Sequence, residues 1–347
     1  MSVAKKYSHL GIAIVFYMIL SNVLASVVVA IASFIYTLFY MFSMMADGGM
    51  STPTIDPALA TEITTRFSSN TGMINLASMC VSYFVCIPLT ILILNSRGHR
   101  DIPTLSGFKF STPYENSLKR NLTPWEFFNF LMFMFPLGII GSAIGAGLAY
   151  LVSLVTGNDM NNLLTSMISD MPLGLVLLLT VILAPIFEEI LFRYAVVGYC
   201  RRYGEWNAIF VSGFIFGLIH TNIFQFFYAF FLGIVLAYVY VYTRRLIYTI
   251  IMHMTFNCFG AFIPLLIDPT LKNTTSPGMI IYNLVQYGLA IIGFILLIMF
   301  IAKGNLLQNT PGAPIQGKFS IKSILNVGMI ALIIVCTGLT ILISVML

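Results

Sequence analysis

Long apolar runs, separated by short polar segments, dominate the chain. Nine of these runs have the composition of helices that cross the hydrocarbon core of a bilayer, for which about 20 residues suffice. They are residues 11–45, 73–95, 126–156, 172–200, 207–221, 223–243, 247–267, 279–302 and 323–346. The fifth run is short, and we expect it to turn directly into the sixth. The pattern predicts an all-α, polytopic membrane protein with about nine transmembrane helices.

The polar segments between the runs are rich in turn-forming residues and leave no room for a second soluble domain. Examples are residues 47–72 and residues 303–322, each with two or more prolines or glycines. We divide the chain into residues 1–171 with the first three helices, residues 172–267 with the fourth to seventh, and residues 268–347 with the last two.

Composition agrees with this pattern, because only 8% of the 347 residues are charged and 59% are hydrophobic. Soluble globular proteins are about 25% charged. The net charge of +5 is scattered between apolar runs, which excludes a nucleic-acid-binding protein. The five cysteines lie in or beside apolar runs without metal-site spacing, and we interpret them as buried apolar residues. The run from Gly11 is too long for a signal-peptide core, so we expect a retained first helix.

Cationic residues predict the orientation, since short loops rich in Lys and Arg stay in the cytoplasm. Arg66 and Lys272 lie on one side of the nine predicted helices, and Arg193 lies within a helix. All remaining Lys and Arg lie on the other side: Lys5, Lys6, Arg97, Arg100, Lys109, Lys119, Arg120, Arg201, Arg202, Arg244, Arg245, Lys303, Lys318 and Lys322. We therefore predict a cytoplasmic amino terminus and a carboxyl terminus outside.

Five ionisable residues remain inside the apolar runs, and all belong to the fourth to seventh helices: Glu188, Glu189, Arg193, His220 and His253. Ionisable groups are costly in hydrocarbon, so they are candidates for function. The alternative is a structural salt bridge between helices. At about 1.5 Å per residue from the nearest cytoplasmic arginines, these residues and Asn257 lie roughly 12 to 25 Å into the membrane. Their depths overlap, as one shared site requires.

Helical spacing refines this set, because residues four apart share a helix face. Glu189 faces the same way as Arg193, and His253 the same way as Asn257, whereas Glu188 lies about 100° round from Glu189. We predict that Glu189 pairs with Arg193 and that Glu188 is left for chemistry. The reverse assignment stays open.

The chemistry that these groups favour is hydrolysis of an amide. Glu188 with His220 can activate a water, and His253 with Asn257 can stabilise the oxyanion. Alternatively, Glu188, His220 and His253 can hold a Zn²⁺ ion with an open position for water. The residues alone leave both mechanisms open.

Three motifs carry a resemblance to a known family. Residues 188–193 fit E-E-x-x-x-R, residues 216–220 fit F-x-x-x-H and residues 253–257 fit H-x-x-x-N. Together they resemble the CPBP or Abi intramembrane proteases, which include the type II CAAX prenyl endopeptidases. The resemblance implies that residues 172–267 are a catalytic core whose site opens toward the cytoplasm and laterally toward lipid. It implies Glu188 as the base with His220, and His253 with Asn257 at the oxyanion, with either a metal-dependent or a metal-free mechanism.

The resemblance also implies a membrane-embedded or membrane-tethered peptide or protein as substrate, and we expect a bacterial cell membrane. The sequence does not indicate an oligomeric state. Two other classes remain: a transporter or proton relay, and a non-enzymatic scaffold or bacteriocin-immunity protein. Pro185, three residues before Glu188, interrupts one site helix. We interpret it as a kink that leaves backbone carbonyls near the site.

Overall fold

The computed structural model describes residues 2–46, 57–98, 120–157, 160, 162–169, 171–304, 306–309, 311 and 313–346. Within these ranges the chain forms helices and no β-strand. We number the helices in chain order: α1 Val3–Ala46, α2 Pro57–Ser68, α3 Gly72–Asn95, α4 Pro124–Thr156, α5 Leu163–Ser169, α6 Leu173–Tyr203, α7 Glu205–Leu218, α8 Ile223–Thr243, α9 Leu246–Ile267, α10 Pro277–Ala302 and α11 Val327–Met346.

The predicted apolar runs all appear as helices. In the described part of the chain, seven helices are long and apolar enough to cross a membrane, namely α1, α3, α4, α6, α8, α9 and α10. Two shorter apolar helices, α7 and the Val327–Ile343 part of α11, match the fifth and ninth runs. The prediction of an all-α, polytopic integral membrane protein is confirmed. The short fifth run ends at Leu218, and a four-residue turn leads into α8 at Ile223.

One predicted loop is partly helical. The polar segment 47–72 contains α2, which begins with Pro57 in its first turn and lies beside the end of α1. Pro is well tolerated there, because the first N–H groups of a helix have no partner within the helix. Glu62 and Arg66 form an i,i+4 ion pair along α2, and Tyr40 of α1 donates a hydrogen bond to Glu62. Turn-forming residues at the ends of this segment concealed a helix in its middle.

Glycines set the closest helix contacts. α1 and α11 cross where Gly11 faces Gly328, and a Cβ on either residue would collide with the backbone of the other helix. α4 approaches α8 in the same way, with Gly141 against the backbone of Tyr228. Small residues allow this approach in membranes, where packing and not water exclusion drives helix association. These contacts hold α4, α8 and the α1–α11 pair in place around the centre of the molecule.

The two ends of the bundle differ in character. Segments that the charge pattern places in the cytoplasm meet at one end, which we call the arginine-rich end: residues 2–9, 120–123, 199–207, 242–248, 306–309 and 313–323. Here the buried Asn207 side chain donates to the Tyr7 and Ser323 hydroxyls at 2.6 and 2.8 Å, and the Arg120 N–H donates to the Thr243 carbonyl at 3.1 Å.

The opposite end holds residues 57–71, 162–169, 171–172 and 268–276, and we call it the loop end. The segments predicted to share a side are thus together at one end. Which end faces the cytoplasm remains a prediction. Arg100, Lys109 and Lys119, which contribute to that prediction, lie outside the described residues.

Candidate active site

Two helices and one turn bring the predicted residues together. Glu188 lies on α6, His220 in the turn between α7 and α8, and His253 and Asn257 on α9. All four line one cavity of about 870 Å³, a size within the usual range for ligand pockets. The remaining two predicted residues, Glu189 and Arg193 of α6, lie behind this cavity and have no exposed side-chain surface.

Glu189 forms a buried ion pair with Arg193, as predicted from their spacing. Its Oε2 is 3.0 Å from Arg193 Nε, and its Oε1 is 3.0 Å from His253 Nδ1 on α9. Arg193 also donates to the Ser212 hydroxyl at 3.2 Å, and its guanidinium stacks 4.8 Å from the centre of the Phe216 ring. Both carboxylate oxygens of Glu189 are therefore occupied by contacts, and these contacts link α6 to α9.

Glu188 is the carboxylate that the cavity reaches. Its side chain is 22% exposed, whereas that of Glu189 is fully buried. One of its oxygens lies 3.8 Å from His253 Nε2, so the nearest described imidazole is that of His253. The predicted partner, His220, lines the same cavity without a direct contact to Glu188. His220 lies beyond the last turn of α7, which sets it apart from the carboxylate.

Hydrogen bonds determine which nitrogen of each imidazole carries a proton. His220 Nδ1 is 2.6 Å from the Phe216 carbonyl, and His253 Nδ1 is 3.0 Å from the Glu189 carboxylate. A carbonyl oxygen can only accept, as can a carboxylate, so Nδ1 donates in both rings. In the neutral form, each ring then has an unprotonated Nε2. Phe216 contacts both rings edge to face and restricts their rotation.

Asn257 is held by an irregularity in α6. The segment Leu177–Leu183 is a π-helix, in which the Ala184 N–H donates to the Leu179 carbonyl. Pro185 has no N–H, so the Thr180 carbonyl lacks the donor that the next residue would supply. Asn257 Nδ2 of α9 donates to this carbonyl at 2.8 Å. The expectation that Pro185 leaves a backbone carbonyl near the site is met, and one amide N–H of Asn257 remains for other partners.

The predicted zinc ligands fit a metal ion in chemistry but not in placement. Two imidazoles whose Nδ1 is anchored by a carbonyl or a carboxylate are typical of metal-ligating histidines. However, across the described residues no three His, Cys, Asp or Glu side chains are close enough to hold an ion. Glu188, His220 and His253 would have to move together to form a zinc site.

Several cavity residues were missed by the sequence analysis, which considered ionisable groups first. Gln225 donates to the Tyr228 hydroxyl at 2.9 Å on α8. On α10, Gln286 donates to the Tyr282 hydroxyl, which in turn donates to the Phe259 carbonyl at 2.7 Å. Both Gln–Tyr pairs line the cavity. An amide in an apolar run is the signal that could have found them, because it too is costly in lipid.

Comparison with known proteins agrees with the predicted resemblance. Residues 170–259 match the model of the Rce1-like family, described as type II CAAX prenyl endopeptidase Rce1-like. That range includes all three motifs. No solved structure gives a significant match.

Two curated relatives are similar to parts of the chain. The membrane-embedded CAAX protease MroQ of Staphylococcus aureus is 33% identical over 111 residues, which is 30% of this chain and 44% of MroQ. The "Putative membrane peptidase YdiL" of Bacillus subtilis is 25% identical over 182 residues, which is 52% of this chain and 68% of YdiL. The alignment thus spans less than half the length of MroQ.

Proposed function

Because residues 170–259 match the Rce1-like type II CAAX prenyl endopeptidases, we propose that this membrane protein is an intramembrane endopeptidase. Its substrate is a membrane-embedded or membrane-tethered peptide or protein. We place it in a bacterial cell membrane with a cytoplasmic amino terminus. The observation that carries the proposal is the division between the two adjacent carboxylates, of which Glu188 faces the cavity and Glu189 is enclosed.

In this proposal Glu188 is the general base. A water in the cavity donates one hydrogen bond to Glu188 and the other to the unprotonated Nε2 of His220, which leaves a lone pair of the water directed at the substrate carbonyl. Glu188 takes a proton as the water oxygen bonds to the carbonyl carbon. The same proton then passes to the leaving nitrogen as the C–N bond breaks. General-base catalysis of this kind contributes about 100- to 10,000-fold to a rate.

His253 and Asn257 stabilise the oxyanion. In this role His253 carries a proton on both ring nitrogens, so that Nε2–H can donate while Nδ1–H stays on Glu189. Its Nε2–H, close to Glu188, and the second amide N–H of Asn257 are then the donors. Glu189 and Arg193 act as positioning residues, because they hold the His253 ring.

Zinc remains a separate sequence-based prediction, and no step above depends on it. Metal analysis of the purified protein, compared with its His220→Ala variant, is the measurement. One Zn²⁺ per chain that is lost in the variant would support a metal site at Glu188, His220 and His253.

The test of the protease is to compare new amino termini in membranes that contain the wild type or the Glu188→Gln variant. Glu188→Gln keeps the shape of the side chain but removes the base. We expect the protease-dependent termini to fall about 100-fold or more. Glu62→Gln, on the exposed helix α2, is the matched control and should leave them unchanged.

An identical set of termini with and without the Glu188 carboxylate would contradict the proposal. That result would favour a non-enzymatic scaffold. A substrate flux in proteoliposomes that depends on Glu188 would favour a transporter.

A further inference from the structure

The cavity occupies one half of the molecule. α6 contributes residues to its wall up to Glu188 and none beyond, although the helix continues to Tyr203. α8 contributes only its first part, as far as Leu232, and α9 only the part from His253 onward. In each case this is the half of the helix nearer the loop end. Of the described lining residues, none belongs to the arginine-rich end.

The catalytic groups form the floor of this cavity. Glu188 lies 15 residues from the start of α6 at the loop end, which corresponds to about 22 Å along the helix. Asn162, Met171 and Leu271, which belong to loop-end segments, line the same cavity. The cavity therefore extends from the middle of the membrane to the loop end of the bundle.

A series of polar side chains lines the cavity wall between the loop end and the level of Glu188. Asn222 Nδ2 donates to Asn162 Oδ1 at 3.2 Å and to Gln225 Oε1 at 3.1 Å. Gln225 then donates to the Tyr228 hydroxyl deeper on α8, and Gln286 is polar on the α10 wall. Such groups are tolerated at membrane depth where they line a water-containing cavity. Their position indicates that water enters from the loop end.

This placement sets two expectations from the sequence against each other. The arginine-rich segments predict that their own end is cytoplasmic, and the family resemblance implies a site that opens toward the cytoplasm. The described lining of the cavity lies in the half of the bundle away from the arginines, so the two expectations cannot both hold. The charge pattern and the cavity are both features of this chain, whereas the cytoplasmic opening is only implied by the family resemblance. We therefore keep the charge-based orientation and give up the cytoplasmic opening.

We propose that the site is reached from the outer face of the membrane. Water and substrate enter at the loop end, and the scissile bond belongs to a polypeptide segment that lies outside the membrane or in its outer half. Cytoplasmic lipidated tails are then excluded as substrates. The substrate class rests on the proposed protease function, whereas the direction of access does not.

Thiol labelling tests the direction of access. Cys80 and Cys258, the two partly exposed native cysteines, are replaced by Ala. Single cysteines are then introduced at Ser142, which lines the cavity on α4, and at Gly317, which is exposed near the arginine-rich end. Ile292, exposed on the flank of α10, supplies a control for lipid exposure. Each variant is treated with a charged, membrane-impermeant methanethiosulfonate, both in intact cells and in inverted vesicles.

We expect the Ser142→Cys thiol to be lost in intact cells and the Gly317→Cys thiol only in inverted vesicles. The Ile292→Cys thiol should stay unmodified in both, because a thiol in lipid does not ionise. Loss of the Ser142→Cys thiol only in inverted vesicles would overturn the proposal, as would its protection in both preparations. Labelling requires no cleavage, so this result is separate from the Glu188→Gln test of the protease.

Discussion

Arg193 shows how one side chain can be charged and yet fully enclosed. Its guanidinium has Glu189 3.0 Å away, the Ser212 hydroxyl as an acceptor and the ring of Phe216 below it. Breaking a buried pair by removing one partner typically costs about 3–5 kcal/mol, because an uncompensated charge stays inside. The pair also orients His253 through Glu189, so its loss affects the site as well as stability.

We predict that Arg193→Ala lowers the unfolding free energy of the detergent-solubilised protein by about 3–5 kcal/mol. The measurement is denaturant-induced unfolding, or the thermal midpoint where unfolding is irreversible. Arg66→Ala is the matched control, since Arg66 and Glu62 have the same i,i+4 spacing and the same 3.0 Å separation but are exposed. An exposed pair is worth about 0.3–0.5 kcal/mol. Equal losses in the two variants would show that burial of Arg193 is not what matters.

At this scale the sequence predicted contacts within a helix but not between helices. The Glu189–Arg193 pair follows from a spacing of four. The contact of Glu189 with His253 does not, because it joins residues 64 positions apart and depends on how α6 and α9 cross. For the same reason the sequence paired Glu188 with His220, while the structure places His253 nearer.

At the scale of helices, α6 is the element in which regular geometry fails. Two π-helical segments, Leu177–Leu183 and Ile190–Val197, flank the turn with Pro185 and the two glutamates. π-turns inside α-helices are often found at functional sites. Hydropathy cannot reveal them, since the added residue per turn leaves an apolar run apolar. Only Pro185 gave a local sign of the irregularity.

We predict that Asn257 and Pro185 are coupled through the Thr180 carbonyl. Asn257→Ala removes the donor to this carbonyl and should cost about 1–3 kcal/mol, the usual penalty for an unsatisfied buried group. Pro185→Ala restores a backbone N–H that can close the turn. The cost of Asn257→Ala should therefore be smaller in a Pro185→Ala background. The test is a double-mutant cycle on unfolding free energies, and strict additivity would contradict the coupling.

For the whole molecule, the number and position of the spans could be read from the sequence, because lipid imposes a length of apolar chain on every crossing helix. The half of the bundle that holds the cavity could not be read. It depends on where α4, α8 and α10 separate, and glycine contacts such as Gly141 with Tyr228 decide this. Periodicity assigns a residue to a helix face, whereas the separation of helices is a property of the assembly.

We predict that Asn207 stabilises the arginine-rich end as a unit. It is fully buried, it donates to Tyr7 and Ser323, and its Oδ1 accepts from the Ser320 N–H at 2.9 Å. Asn207→Ala leaves several buried polar groups without a partner and should cost about 3 kcal/mol. Thermal unfolding in detergent is the measurement. Asn273→Ala, at an exposed site in the loop end, is the control, and a similar shift in both would contradict this role.

The crossing of α1 with α11 has a consequence for biogenesis. The Gly328 N–H donates to the Ser8 hydroxyl across 320 positions of sequence, so α1 is completed by a helix that is synthesised much later. Until α11 has been synthesised, the face of α1 that carries Gly11 contacts lipid or an insertion factor. Quality-control proteases that recognise unassembled helices therefore have the interval between the synthesis of α1 and of α11 in which to act, and any nascent chain that stops before α11 leaves this face of α1 uncovered.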